Sequence, residues 1–115
     1  MHALILVLNK TDEMEDVLAA MLQAGCKGAT IIDSQGMGSA IVRSDNTDLP
    51  LFGSLKSFFD REHPYNKTIF AVIESDELLT KVTDAIRNTV GDLDKPNEGL
   101  MFTVPVSNVM GLKKY

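Results

Sequence analysis

With 115 residues, 44% hydrophobic and 23% charged, the chain is long enough for one globular domain with its own core, which excludes both a disordered polypeptide and a two-domain arrangement. Eleven basic against sixteen acidic residues give a formal net charge of −5, which argues against general binding to nucleic acid or to anionic membranes. No apolar run approaches the ~20 residues of a membrane span and the N-terminus lacks the pattern of a signal peptide, so a cytoplasmic setting is expected. The single cysteine, Cys26, permits no internal disulfide and has no Cys/His neighbours at ligand spacing, so it reads as a packed thiol.

In chain order, residues 2–8 (His-Ala-Leu-Ile-Leu-Val-Leu) form a short continuous apolar run, as expected of a central strand. Thr11 or Asp12 can cap the helix that follows, with Glu13 and Glu15 in the first turn, where the helix dipole favours anions. Met14, Val17, Leu18, Met21 and Leu22 recur at helical spacing, and Gly25 stands where a left-handed C-terminal residue is wanted. A second strand is expected over residues 28–37, resuming through Ala40, Ile41 and Val42 after the glycines Gly36 and Gly38. That glycine pair reads equally as a bulge or turn at a strand end and as backbone opened for a ligand.

From residue 43 to about 66 the texture changes. The stretch 44–48 is polar, prolines stand at Pro50 and Pro64, and no single period persists. Leu51, Phe52, Leu55, Phe58 and Phe59 fit a short amphipathic helix or an apolar docking patch, inside a connection long enough to be functional. Residues 68–73 (Thr-Ile-Phe-Ala-Val-Ile) are a further apolar strand. Ser75-Asp-Glu then opens a second long helix with a capping serine and an acidic first turn. Leu78, Leu79, Val82, Ala85, Ile86 and Val90 make its buried stripe, and Gly91 ends it. A turn-rich loop covers residues 92–98, and residues 99–106 form the last strand. Pro105 marks an edge or an end of that strand, because it cannot donate to a ladder.

The resulting order of two strand–helix–strand halves predicts an α+β fold: a ferredoxin-like βαββαβ sandwich of four antiparallel strands with two helices on one face. Both parities of the first and third long strands are apolar, so the sheet face away from the helices needs a cover, and self-association is the simplest one. No Ser/His/Asp or Cys/His constellation can be argued, so an enzyme is not expected. His2 and His63 lack ligand spacing to each other or to Cys26, and Asp45, Asp48 and Asp60 read as a solvated loop, so no metal site is expected.

Taken with particular residues, this order resembles the PII family of trimeric signalling proteins, the nitrogen regulatory proteins. The matching pieces are an opening strand leading to Lys10, Glu15-Asp-Val and the helix to Gly25, Gly28-x-Thr30, Gly36-x-Gly38, Ser75-Asp-Glu-Leu-Leu-x-Lys-Val-x-x-Ala-Ile, and Gly99-x-x-Phe-x-Val-Pro-Val. The resemblance implies one domain over residues 1–115, a homotrimer whose sheets face inward, and a long mobile arm, the T-loop, over about residues 39–66. It also implies a role in signal transduction. An adenine nucleotide (ATP, ADP or AMP) would bind between subunits and act as effector rather than prosthetic group, and the arm would control a membrane transporter or metabolic enzyme. By position the nucleotide site would include Leu8, Thr30, Gly36, Met37, Gly38, Lys67 and Ile73. Asn97, Glu98 and Gly99 would follow in the loop and Lys113 in the tail. The chain departs from the family pattern at Glu98 and Leu100, at Gly111 and Lys113 where arginines are usual, and at Ser39-Ala40 where a glutamine is used toward magnesium and 2-oxoglutarate. Two other functions fit the same architecture. One is a ferredoxin-like interaction protein that docks a transporter or enzyme without a ligand, and the other is a CutA-like trimeric metal binder.

Overall fold

The computed structural model describes residues 1–42, 65–95 and 98–112. In chain order these residues form β1 (His2–Leu8), a 3₁₀ turn (Thr11–Glu13), α1 (Met14–Ala24), β2 (Thr30–Ser34), α2 (Met37–Val42), β3 (Asn66–Ile73), α3 (Asp76–Val90) and β4 (Gly99–Pro105). One sheet of order β2-β3-β1-β4 holds all four strands, and every neighbouring pair is antiparallel. The two long helices pack on each other, and their buried side chains join those of one sheet face in a single core, which is the ferredoxin-like α+β fold that the element order predicts.

The period-2 pattern of the strands explains the core directly. Leu4, Leu6 and Leu8 of β1 and Ile69, Ala71 and Ile73 of β3 all point to the helix side and are buried there. They meet Val17 and Met21 of α1 and Val82, Ile86 and Val90 of α3, the residues that helical spacing brings to one stripe. Leu22, expected on the same stripe, is exposed. It lies one residue beyond Met21, turned about 100° from it around the helix axis.

Helix ends follow the sequence unevenly. The Ser75 hydroxyl accepts the Leu78 N–H at 3.1 Å and caps α3 as expected. Before α1 neither Thr11 nor Asp12 caps. A 3₁₀ turn takes their place, in which the Glu13 N–H donates to the Lys10 carbonyl at 3.1 Å, so the backbone itself satisfies the first donor. Gly25 ends α1 at φ 113°, in the left-handed region that its missing Cβ permits.

The main correction concerns the glycine pair. The expected strand over residues 28–37 is confined to Thr30–Ser34, and residues 40–42 do not resume it. Instead the Gly36 carbonyl accepts the Ala40 N–H at 3.0 Å, an i to i+4 bond that starts α2. The β-branched Ile41 and Val42 point toward a strand by propensity. However, the ladder with β3 ends at the Ser34–Asn66 pair, and beyond it the local i to i+4 hydrogen bond prevails. Strand β3 begins two residues before the expected start, at Asn66, because Ser34 pairs with it across the ladder. Strand β4 ends at Pro105 on the other sheet edge, where a missing N–H costs nothing. The expected amphipathic stretch at Leu51–Phe59, and the loop acids Asp45, Asp48 and Asp60 with His63, lie outside the described residues.

The face away from the helices is apolar. The ladder sets Phe70, Ile5 and Phe102 in one row across β3, β1 and β4, and Val72, Ala3 and Val104 in another. Phe70 is 38% exposed and Phe102 43%, with Ile32, Leu100 and Val104 exposed beside them.

Candidate functional site

The residues expected to line a site fall at two places. The register aligns Asp33, Lys67, Leu8 and Gly99 in a single row across all four strands at the C-terminal end of β1. Gly36 stands at the same end: a Cβ built there would lie 3.8 Å from the Asn66 amide nitrogen. Met37 and Gly38 follow it in the first turn of α2, and Glu98 immediately precedes Gly99. Thus seven of the expected residues (Leu8, Gly36, Met37, Gly38, Lys67, Glu98 and Gly99) share one end of the sheet.

Thr30 and Ile73 do not belong to that cluster. Thr30 pairs with Phe70 on the open face, and Ile73 lies opposite His2 at the far end of β3. Six residue steps along the strand part Ile73 from Lys67, about 20 Å, whereas Thr30 lies three steps from Asp33, about 10 Å. Both residues line a groove of about 690 Å³ that also takes in Cys26, Phe70, Val72 and the C-terminal Gly111 and Leu112. Leu8 and Ile73 are fully buried by the helices, so neither offers its side chain to a ligand. Asn97 and Lys113 lie outside the described residues.

Local chemistry holds the first cluster together. The Ser34 hydroxyl donates to the Asn66 side-chain oxygen and lies 2.8 Å from the Thr68 hydroxyl, while the Asn66 amide reaches the Asn9 side chain at 3.5 Å. These bonds tie the end of β2, from which α2 leaves, to the start of β3 and the exit of β1. Gly99 has φ 144°, and a Cβ there would collide with the Val7 carbonyl oxygen, so the loop after α3 can enter β4 only through glycine.

Among the described residues, the two lysines at this end are already engaged. Lys67 pairs with Asp33 and Lys10 with Glu98, the latter at 2.8 Å. The Glu98 carboxylate beside Lys10, with Glu13 and Asp12 nearby, raises the Lys10 ammonium above its usual range. One Glu13 carboxylate oxygen is buried without a hydrogen-bond partner among the described residues. Beside Gly99 a second, smaller cleft of about 390 Å³ is lined by Arg87, Asp92, Asp94 and Leu100 among others.

Lys10 and the two aspartates of the cleft escaped the sequence reading as site residues, because only the register brings β1's exit beside the loop after α3. The alternation of Thr30, Ile32, Thr68, Phe70 and Val72 was the available signal for the second groove. In that groove the Cys26 thiol is buried, donates to the Gly28 carbonyl at 3.5 Å, and is pushed above the ordinary thiol range by desolvation, so its thiolate is suppressed. Among the described residues no group of three or more His, Cys, Asp or Glu side chains could hold a metal ion, and no helix is long and apolar enough to cross a membrane.

Comparison with known proteins gives a family match over almost the full length: the model of the nitrogen regulatory protein P-II family covers residues 2–115. A search of curated proteins gave no match.

Proposed function

The chain belongs to the nitrogen regulatory protein P-II family, and from that premise we propose that it forms a homotrimer which binds an adenine nucleotide between subunits and regulates a partner through the connection over about residues 39–66. The family consists of signal-transduction regulators rather than enzymes. The observation that carries the proposal is the uncovered apolar sheet face, with the row Phe70–Ile5–Phe102 at its centre. An isolated chain would leave that surface in water, and a closed ring of three copies would remove it.

The same ring accounts for the division of the site residues. Within one chain the Gly36–Lys67–Gly99 row and the Ile73 end of the groove lie about 20 Å apart along β3. In a cyclic assembly each interface joins two different patches, and the first end of one copy can face the groove of the next. Gly36 and Gly99 would bring backbone N–H groups close to the ligand, Lys67 would supply one cation, and Thr30 a hydroxyl. Ligand binding at the base of the 39–66 connection would then shift its population between states that a transporter or metabolic enzyme distinguishes.

Sedimentation of the protein at micromolar concentration, followed by thermal-shift titration with AMP, ADP and ATP, tests the proposal. A trimer stabilised by at least one of the three is the expected result. A monomer, or a trimer that none of them stabilises, would overturn it. In the second case the interaction protein without a ligand takes precedence, a reading favoured by the two lysines already paired with carboxylates.

A further inference from the structure

The internal ion pairs at the Gly36–Lys67–Gly99 end bear on which ligand the site accepts. A phosphate group binds where cations are available to it, and of the described residues here Lys10 and Lys67 each already hold a carboxylate. The two pairs are not equivalent. Asp33 is 83% exposed and can turn into water when a ligand takes Lys67. Glu98 is only 15% exposed, so a phosphate taking Lys10 would strand a desolvated carboxylate and place a second anion beside it. Among the described residues the surroundings are acidic: Glu13 and Asp12 lie near Lys10, and Asp92 and Asp94 line the adjoining cleft with Arg87.

Resting on the nucleotide reading above, we infer that this end of the sheet accommodates one phosphate through Lys67 and selects against further ones, so that the effector is an adenine mononucleotide, and that Glu98 sets this preference. Asp33 and Glu98 thus act as two built-in competitors for ligand phosphate, one easily released and one retained. A triphosphate brings charge to the side where the retained carboxylate stands.

Calorimetric titration of the full-length oligomer with adenosine, AMP, ADP and ATP, at fixed ionic strength and without divalent cations, tests the inference. AMP is expected to bind tightest, with ADP and ATP successively weaker and ATP at least about tenfold below AMP. Glu98→Gln keeps the shape and removes the charge, and is expected to bring ATP to within about threefold of AMP while moving adenosine little. ATP binding tighter than AMP in the unaltered protein, a comparison that requires no variant, would overturn the inference and leave the nucleotide reading standing. An unchanged ratio of ATP to AMP affinity in Glu98→Gln would overturn the assignment to Glu98. Failure of all four ligands to bind would overturn both readings.

Discussion

Replacing Phe70 on the open sheet face probes the assembly without touching the core, because its neighbours Ile69 and Ala71 carry the core contacts of β3. A phenylalanine presents roughly 200 Å², so its 38% exposure leaves about 80 Å² to be covered by a neighbouring copy. At about 25 cal/mol per Å² that burial contributes about 2 kcal/mol per protomer. Over a ring of three, Phe70→Ala should therefore weaken assembly by about 6 kcal/mol, roughly four decades in the association constant. Phe70→Asp should weaken it further, since the carboxylate would have to enter the interface unpaired. Sedimentation velocity across nanomolar to micromolar concentration reads the assembly, and far-ultraviolet circular dichroism checks that the monomer keeps its secondary structure. A Phe70→Asp protein that remains as fully assembled as the parent would refute the reasoning, because the open face would then not be the contact.

Three further outcomes follow from local geometry. Gly99→Ala forces a side chain into a positive-φ position against the Val7 carbonyl, and should lower the unfolding free energy in urea by roughly 2 kcal/mol or more. Ser75→Ala removes the hydroxyl that caps α3 and should cost about 1 kcal/mol in the same assay, whereas Thr11→Ala, at a position with no capping bond, should cost little. Burial raises the Cys26 thiol, so the native state holds its proton more firmly than the unfolded chain does. Its stabilising contribution is complete below the unfolded thiol pKa and is lost as pH rises from there through the folded value. Iodoacetamide should accordingly label Cys26 slowly in the native protein and rapidly in urea; equal rates would contradict its burial.

Much of the fold is legible in the sequence because the strands are short apolar runs bounded by turn signals and the helices carry single stripes. Period 2 sorts Leu4, Leu6 and Leu8 with one another and Ile69, Ala71 and Ile73 likewise, but with both parities apolar only the packing of the helices decides that this is the core face; Gly25, Ser75 and Gly91 fix three helix ends by known cap chemistry. The glycine pair resisted because the decisive fact is long-range. Whether residues 37–42 continue a strand depends on where the ladder with β3 ends, at Ser34–Asn66, which no local pattern states. Site residues were legible in type but not in grouping. Lys67 and Gly99 were expected together, and the register aligns them through Leu8. Their separation from Thr30 and Ile73, and the capture of Lys67 by Asp33 and of Lys10 by Glu98, depend on which residues the ladder and the loop after α3 bring side by side.

Subunit mixing tests most directly whether the ligand sits between copies. Gly36→Tyr fills the first end and Thr30→Tyr the groove, and each variant alone, confirmed to be oligomeric, should lose AMP binding. After dissociation and joint reassembly in equal amounts, about one site in four pairs an intact first end with an intact groove from the neighbouring copy. Binding should return at that stoichiometry in calorimetry. If each half belonged to a site within its own chain, the mixture would bind no AMP, and the intersubunit account would be contradicted.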